Sequence, residues 1–443
     1  MNYQIHTFGC KVNTYDSSLL EKRFNAMGWS QGVSSDTKAP RTHVLNTCAV
    51  TEEASKEAKR TIRRLKSKDP FCKIVVTGCS AQIDTDFYAD LPSVDLIVAN
   101  SHKQDLENLI DKLNKNQLDK KIYKSNIFKK TDLEEGGGTI SSKTRAFVKI
   151  QDGCNSFCTF CVIPFARGKS RSLSVNYIVN KINEVYQEGI NEVILTGVHI
   201  GDYFDESTSS NIEDLVEAVL QKTKVPRIRL TSLEPIELSP RLLDLYDNSR
   251  LCPHFHMSIQ SAQTKVLNQM KRKYDSKSVE LALKSIREKL PNAFIGMDVI
   301  VGFPGETQEE FEETYNRLSS LPWSQIHVFP YSPRPGIYAN RLEGQLHRSE
   351  IMERAKTLRS LSHERINKEL LKQVGTTKQI IILNSKNKKT MGLSEDYWKV
   401  QLVDKVDSGQ LKIGQLYNVV IEGAAEGNML SGRLVASEAS CAG

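Results

Sequence analysis

Residues 153–161 read Gly-Cys-Asn-Ser-Phe-Cys-Thr-Phe-Cys, which places Cys154, Cys158 and Cys161 at the spacing C-x3-C-x2-C. They directly follow residues 145–151, whose alternating apolar and polar side chains are typical of a half-buried strand. A group of thiolates on the loop after a strand can hold a metal. Three thiolates leave a tetrahedral zinc one ligand short, or a four-iron four-sulfur cluster with one iron open to a substrate. A zinc knuckle and buried structural cysteines are the alternatives that the spacing alone leaves open.

Length and composition indicate a globular protein of 443 residues with two or three domains. No apolar run approaches the roughly 18 residues of a membrane-spanning helix, and residues 1–6 lack the basic and apolar regions of a signal peptide. We therefore expect a cytoplasmic protein with no membrane partner. Nine cysteines, an odd number, favour metal or redox chemistry over disulfides. The net charge of +7 permits an anionic partner such as RNA without requiring one.

The first part of the chain repeats one pattern three times: a short strand that ends in a cysteine. Residues 3–8, 43–46 and 73–78 are predicted strands, and they are followed by Cys10, Cys48 and Cys79. Strands that alternate with helices predict a parallel α/β sheet, whose ligands lie beyond the carboxyl ends of the strands. A single cysteine of this kind is usually a small buried apolar residue, but the repeated position favours a second thiolate site. No such context surrounds Cys72, Cys252 or Cys441, which we interpret as structural or incidental.

Two predicted helices carry an excess of basic residues. In the helix at 52–68, most of five basic side chains fall along one side: Lys56, Lys59, Arg60, Arg63 and Arg64. The helix at 348–373 has seven basic and four acidic residues. Either helix could contact RNA phosphates, or it could present a solvated face or connect two domains.

The central part of the chain predicts a (β/α)6 partial barrel. A polar stretch at 124–144, with three consecutive glycines, is the expected linker before it. Predicted helices at 177–188, 212–222, 276–290 and 309–321 separate strands at 145–151, 192–198, 227–232, 254–259, 294–301 and 326–331. The active site of such a barrel lies at the carboxyl ends of its strands. Polar and glycine-rich motifs follow these ends, including 196–199, 232–235 and 302–306.

After residue 375 the pattern changes to short strands at 379–383, 397–402 and 417–421. Their length and spacing predict a small β-barrel of the nucleic-acid-binding kind. Its charge is nearly balanced, so we expect it to bind RNA through local groups such as Lys386, Lys388, Lys389, Tyr397 and Trp398. A structural cap is the alternative.

These features together resemble one family over almost the whole chain, the radical S-adenosylmethionine (SAM) methylthiotransferases. The matching motifs are 8–13 (Phe-Gly-Cys-Lys-Val-Asn), 46–48, 77–79, the central C-x3-C-x2-C and 301–307 (Val-Gly-Phe-Pro-Gly-Glu-Thr). The resemblance implies an α/β protein of three domains joined by a linker. These are an N-terminal iron-sulfur domain at 1–123, the linker at 124–144, a radical SAM domain with a connecting helix at 145–374, and an RNA-binding TRAM domain at 375–443.

Within that family the chain is most similar to one branch. Gly-Cys-Lys-Val-Asn at 9–13 and Ala-Arg-Gly-Lys-Ser-Arg-Ser at 166–172 resemble enzymes that convert N6-threonylcarbamoyladenosine (t6A) at position 37 of tRNA to its 2-methylthio form. The branch that acts on isopentenyladenosine usually has Gly-Cys-Gln-Met-Asn, and the branch that modifies a ribosomal protein has Gly-Cys-Pro-Lys-Asn. Those substrates are the enzymatic alternatives. An iron-sulfur or zinc protein that binds RNA without catalysis is the alternative of another class.

The resemblance also implies cofactors and partners. One 4Fe-4S cluster on Cys154, Cys158 and Cys161 would cleave SAM, and a second on Cys10, Cys48 and Cys79 would hold the sulfur to be transferred. Insertion of sulfur at C2 of adenine requires such a cofactor because C2 has no acidic proton and no leaving group. A sulfur donor and a one-electron reductant such as a flavodoxin system are the other expected partners. The expected SAM contacts are Thr196, Gly197, Glu234, Gln260, Arg272 and Gly302.

Overall fold

A six-stranded parallel sheet forms the N-terminal part of the molecule. The computed structural model describes residues 1–32, 42–50, 52–137, 144–386, 389–403 and 411–435. The sheet has the strand order β2-β1-β3-β4-β5-β6, and its strands are β1 Asn2–Thr7, β2 Ser30–Gln31, β3 Thr42–Thr47, β4 Lys73–Gly78, β5 Leu96–Ala99 and β6 Ile122–Tyr123. The three strands predicted in this part are confirmed as β1, β3 and β4, and the sheet is parallel as expected.

Apolar side chains cover both faces of this sheet, as its parallel pairing requires. Val44 and Val75 belong to one apolar cluster, whereas Leu45 and Ile74 belong to the other, because successive residues of a strand point to opposite faces. The surrounding helices are α1 Lys11–Ala26, α2 Glu52–Lys68, α3 Cys79–Ile83, α4 Thr85–Ala89 and α5 Leu106–Asn114. Of the basic residues predicted on one side of α2, only Lys59 is partly buried, and its ammonium lies 4.9 Å from the centre of the Phe87 ring.

Six parallel strands form the predicted partial barrel in two halves. One half has the order β13-β10-β7 and the other β14-β15-β16, with bounds β7 Ala146–Lys149, β10 Glu192–Thr196, β13 Arg227–Leu230, β14 His254–Gln260, β15 Phe294–Val301 and β16 Gln325–Pro330. Single bridges at Leu233–Met257 and Ile228–Leu251 connect the halves. Among the residues that the structure describes, no pairing joins β16 to β7, so the barrel is open on that side.

Helices and short hairpins surround the central strands. Several helices begin where the sequence supplies a capping side chain: Ser174 accepts from the Tyr177 amide, and Asn211 and Thr307 form capping boxes. The helices are α6 Ile163–Arg167, α7 Val175–Gln187, α8 Ile212–Lys222, α9 Pro240–Asp244, α10 Thr264–Gln269, α11 Ser276–Lys289, α12 Gln308–Ser320 and α13 Arg348–Leu371. The short strands are β8 Gln151–Asp152, β9 Arg171–Ser172, β11 Phe204–Asp205 and β12 Ser210–Asn211.

A closed five-stranded barrel follows α13 and shares an apolar core with the central part. Its strand order is β17-β18-β19-β21-β20, with bounds β17 Thr377–Lys386, β18 Lys389–Ser394, β19 Lys399–Leu402, β20 Leu416–Ala425 and β21 Met429–Leu434. Trp398 is only 3% exposed and packs edge-on against Phe294, at 5.0 Å between ring centres. The Tyr397 ring stacks on His254 at 3.9 Å.

These aromatic contacts correct one prediction. The expectation that Trp398 contacts RNA is wrong, because its side chain is buried between the two barrels. The stacked ring of Tyr397 is likewise used in holding the barrels together. The side chains of Lys386, Lys388 and Lys389, proposed for the same contact, lie outside the described residues, as does Cys441.

The described portion of the predicted linker packs between the N-terminal sheet and the central barrel. The Gly136 amide donates a hydrogen bond to the Tyr177 hydroxyl at 2.6 Å, and the Gly137 amide donates to the Tyr15 hydroxyl at 3.2 Å. Glu134 forms an ion pair with Arg23 at 3.2 Å. These contacts join α1 to α7 across the stretch. No described helix is both long enough and apolar enough to cross a membrane.

Candidate active site between two cysteine trios

The N-terminal trio, Cys10, Cys48 and Cys79, assembles at the carboxyl edge of the sheet. Cys10 precedes α1, Cys48 follows β3, and Cys79 begins α3 directly after β4. Gly9 makes the close approach possible: its φ is +88°, and a Cβ built there would lie 2.5 Å from the Cβ of Cys48. The three residues are far apart in sequence, and the parallel topology brings them together as predicted.

A cavity of about 600 Å³ separates this trio from the mouth of the central barrel. All three N-terminal cysteines line it, and Thr196, Gly197, Thr231, Ser232, His256, Ser258, Asp298 and His327 line the opposite wall. A second cavity, of about 200 Å³, contains Cys161 and Gln260 in its lining. The two cavities share Val50, Ile163, Asp298 and Phe329. The N-terminal trio and Cys161 of the central trio therefore border two adjoining cavities.

Polar side chains surround the sulfurs of the central trio. An Arg272 Nη1 donates to Cys158 Sγ at 3.2 Å, and its Nη2 pairs with Glu234 at 2.8 Å. The amide of Ser156 donates to Cys154 Sγ at 3.4 Å. Burial raises the pKa of Cys158, with the neighbouring Arg272 opposing this shift, and raises the pKa of Cys161 to about 12. These thiols stay protonated at neutral pH unless a bound cation stabilises the thiolate.

The N-terminal trio has a comparable environment built around Arg167. Its Nε donates to Cys79 Sγ at 3.1 Å, and Asn100 Nδ2 lies 3.7 Å from the same sulfur. Burial raises the pKa of Cys48 to about 12 and also raises the pKa of Cys79, although Arg167 opposes the latter shift. In each trio one sulfur thus accepts a hydrogen bond from a guanidinium group. Such a charged donor stabilises negative charge on the sulfur.

The spacing of the sulfurs distinguishes a cluster from a single ion. Thiolates on one tetrahedral zinc lie about 3.8 Å apart. Among the described residues, neither trio brings its three sulfurs within 4.8 Å of one another, so a single zinc does not fit without movement. A 4Fe-4S cluster binds its three cysteines at separate iron atoms, so it does not require the sulfurs to lie this close, and it leaves one iron open.

His199 lies next to the central trio and belongs to two tighter groups of possible metal ligands. Its Nδ1 lies 3.8 Å from Cys154 Sγ and 3.2 Å from Asp202, and its Nε2 lies 2.5 Å from Glu237. Burial disfavours the protonated ring, but hydrogen bonds with Asp202, Cys154 and Glu237 outweigh it and raise the pKa of His199. A protonated imidazole is a partner for these acids and does not bind a cation.

The expected SAM contacts fall into four places. Thr196 and Gly197 line the larger cavity, and Gln260, with φ +62°, lines the smaller one. The Glu234 and Arg272 pair lies beside Cys158. Gly302 is apart from both cavity linings, because its Cα faces Ile351 of α13, where an added Cβ would lie 2.6 Å from Ile351 Cγ1.

Several polar residues of the site were not singled out from the sequence. His256, Asp298 and His327 line the larger cavity from three adjacent strands, and Lys11 faces them from the N-terminal side. A signal for the first three existed, because a polar residue within an otherwise apolar buried strand points toward a lumen or site. Arg167 stood out only as part of the 166–172 motif.

Comparison with known proteins places both halves of this site in recognised families. Residues 148–318 match the Radical SAM superfamily, and residues 2–99 match the Uncharacterized protein family UPF0004. The first match contains the central trio and the second contains the N-terminal trio.

Full-length relatives extend this similarity over the whole chain. A protein of Aquifex aeolicus named threonylcarbamoyladenosine tRNA methylthiotransferase MtaB is 34% identical over 95% of this chain and 100% of its own length. A protein of Corynebacterium jeikeium named tRNA-2-methylthio-N(6)-dimethylallyladenosine synthase is 31% identical over 98% of this chain and 87% of its own. The fold also matches the radical SAM methyltransferase TsrM of Kitasatospora setae, with a TM-score of 0.54 and 13% identity over 75% of this chain and 74% of that one.

Proposed function

Because the chain belongs to the radical SAM methylthiotransferases, we propose that it converts t6A at position 37 of tRNA to 2-methylthio-t6A. The observation that carries this proposal is the pair of adjoining cavities that are lined by Cys161 of the central trio and by all three N-terminal cysteines. An adenine placed there has a radical source on one side and a sulfur source on the other. Radical SAM chemistry uses SAM and one 4Fe-4S cluster. We propose that a second cluster is held by the N-terminal trio.

The cysteines divide into two proposed roles. Cys154, Cys158 and Cys161 would hold the cluster at which SAM is cleaved, and Cys10, Cys48 and Cys79 would hold the cluster that carries the sulfur. When bound, the first cluster and SAM would supply a radical that removes the C2 hydrogen, and the second cluster would supply a sulfur whose methyl group comes from a second SAM; formation of the C2–S bond would leave one electron on the second cluster. The chain's own residues orient the cysteines, because Arg167 and Arg272 donate hydrogen bonds to the sulfurs of Cys79 and Cys158.

Thr196, Gly197, Glu234, Gln260 and Arg272 remain our proposed contacts for SAM. Their placement in the cavities or beside Cys158 supports this assignment. Gly302 has weaker support, since its position against Ile351 already explains a glycine there. We also propose domain bounds at 1–123, 145–374 and 375–443. The proposed setting is the cytoplasm, which would supply the sulfur donor and a one-electron reductant.

RNA is proposed to approach on the side where basic residues are exposed. Arg60, Arg63 and Arg64 of α2 extend from the face opposite the buried Ala58 and Ile62. Arg60 is already paired with Glu53 at 3.0 Å, so it is a weaker candidate for phosphate contact than Arg63 and Arg64.

Mass spectrometry of tRNA nucleosides tests the proposed reaction. The reconstituted protein is incubated anaerobically with SAM, sulfide, dithionite and tRNA that contains either t6A or isopentenyladenosine. We expect a methylthio group on t6A alone. Modification of isopentenyladenosine instead would overturn the substrate, and a cluster-loaded protein that leaves SAM intact would overturn the chemistry.

Two cysteine substitutions separate the roles of the trios. Cys158→Ala should abolish 5'-deoxyadenosine formation while iron remains bound at the N-terminal trio. Cys48→Ala should still cleave SAM but form no methylthio product. Cys72→Ala is the control, since Cys72 is buried beneath the N-terminal sheet, away from both cavity linings. Normal methylthio product from Cys48→Ala would disprove the assignment of the sulfur site.

A further inference from the structure

Three adjacent strands of the central barrel present a polar wall to the larger cavity. His256, Asp298 and His327 come from β14, β15 and β16, and all three line the cavity. Asp298 lies opposite His327 in the strand register. His256 Nε2 lies 2.9 Å from the Asp298 carboxylate, and the rings of His256 and His327 stack at 5.5 Å between centres. These contacts therefore hold the three side chains in a fixed orientation toward the cavity.

Lys11 enters the same cavity from the N-terminal side. Among the described residues, none forms a hydrogen bond or salt bridge with the Lys11 ammonium. The charged side chains that act on it are two cations, Arg229 and Arg145, and the carboxylate of Asp298, with Cys10 as a further neighbour. Asp298 is already bonded to His256. Arg229 and Arg145 are already paired with Glu192, so the Lys11 ammonium is left in the cavity without a directly bonded carboxylate.

An enclosed ammonium that lacks a direct partner favours an anionic ligand. Pairing an enclosed ammonium with a carboxylate removes the cost of leaving the ammonium without a partner. The threonylcarbamoyl group of t6A ends in a carboxylate and a hydroxyl, whereas an isopentenyl group has no polar atom. A site with committed polar groups rejects a ligand that cannot pair with them.

Resting on the function proposed above, we propose that Lys11 binds the threonine carboxylate of t6A and that His256 and His327 contact its hydroxyl and carbamoyl groups. Asp298 holds His256 in place. The pocket then selects the modified nucleoside by the charge of its side chain. The adenine lies between this polar wall and the cysteine trios.

Binding of synthetic anticodon stem-loops tests this assignment apart from catalysis. One RNA carries t6A and the other carries the corresponding threonine amide, which lacks only the negative charge. Fluorescence anisotropy on the cluster-loaded protein without reductant measures Kd for each. We expect the wild type to bind the t6A stem-loop about tenfold to a hundredfold more tightly. Lys11→Gln should reduce this ratio to near one, and Lys11→Arg should restore most of it.

Two further variants control for indirect effects. Lys284→Gln removes an exposed charge that pairs with Glu280 on α11, and it should leave the ratio unchanged. Because Lys11 follows Cys10, iron content is measured on every Lys11 variant. If a Lys11 variant loses iron, the proposed pocket is tested with His327→Leu instead. This variant should keep its iron and should bind both RNAs more weakly, because the contact from His327 to the nucleoside side chain is lost.

The outcomes separate this proposal from the preceding one. A wild type that methylthiolates t6A but binds both stem-loops equally would overturn the pocket and leave the reaction in place. Retention of the full ratio by Lys11→Gln with normal iron content would also overturn it. If the wild type discriminates by charge but forms no methylthio product in the nucleoside assay, the pocket stands and the proposed reaction fails.

Discussion

Arg167 connects the N-terminal sheet to the central barrel through a single buried guanidinium. It donates to Asn13 at 2.6 Å and to Asp16 at 3.0 Å on one side, and to Asp152 at 2.9 Å on the other. Lys149 bridges the same two carboxylates, at 2.7 Å from Asp16 and 3.1 Å from Asp152. Burial opposes ionisation, but these cations outweigh it and hold the pKa of Asp152 below its usual range. The network stays ionised at neutral pH.

Arg167→Leu should destabilise the protein by about 3 kcal/mol or more, because it leaves buried carboxylates and the Cys79 sulfur without their donor. Arg167→Lys keeps the charge but lacks the forked donors, so it should recover part of that loss. Urea unfolding measures both variants, with Arg317→Leu at a partly exposed ion pair as control. A change below about 0.5 kcal/mol for Arg167→Leu would contradict the structural role assigned to this network.

The amino-acid sequence alone predicts the position of the cysteines but not this network. The strand-then-cysteine pattern is local, so it assigns Cys10, Cys48 and Cys79 to one edge of a sheet. Arg167 and Asp16 lie 151 positions apart, and no local pattern pairs them. The same limit applies to Lys11, whose surroundings come from strands far along the chain.

Among the elements, several strands with apolar runs were predicted, whereas the buried β5 and the weaker β21 were missed. β15 matches its predicted bounds because Phe294–Val301 is mostly apolar and six of its eight residues are buried. β21, Met429–Leu434, contains a serine and a glycine and is defined by its pairing with β19 and β20. The small barrel is thus closed by pairing between strands that are distant in sequence, which the strand propensities of single residues do not predict.

The junction of β15 and α13 depends on a glycine. Gly302 has φ +72° and contacts Ile351 so closely that an added Cβ would lie 2.6 Å from it. We expect Gly302→Ala to lower the free energy of unfolding by about 1–3 kcal/mol more than Gly189→Ala does. Gly189 is the matched control, because its φ is +89° and nothing lies within 4 Å of its added Cβ. Equal losses for both would show that backbone strain alone matters. Thermal or urea unfolding distinguishes these outcomes.

At the scale of the whole molecule, the two barrels meet at a buried cluster of charge. Glu192 is fully buried and pairs with Arg229 at 3.2 Å, Arg145 at 3.3 Å and Arg227 at 3.4 Å. Burial raises the pKa of this carboxyl, but the three guanidinium groups outweigh it and lower the pKa from 4.5 to about 2. The folded state therefore binds this proton less readily than the unfolded chain does.

Acid should weaken the protein partly through Glu192. Because the folded pKa is depressed, its stabilisation is complete above pH 4.5 and is lost as the pH falls toward about 2. The loss amounts to roughly 3 kcal/mol across that window. Urea unfolding between pH 6 and pH 3 should therefore show a steeper decline in the wild type than in Glu192→Gln. Parallel curves would contradict the assignment, and the exposed Glu217→Gln is expected to follow the wild type.

The arginines of β13 reach beyond Glu192 to the backbone of the C-terminal barrel. Arg227 donates to the carbonyl oxygens of Leu393 and Gln379, and Arg229 donates to those of Glu395 and Ser394. Because these arginines contact main-chain atoms, they constrain the backbone shape of the C-terminal barrel at this contact more than they constrain the identity of its side chains. The side chains of this barrel could therefore vary widely during evolution, but the barrel could not be replaced by an unrelated domain. A replacement would have to bring its carbonyl groups to the same two arginines, so the two modules are inherited together.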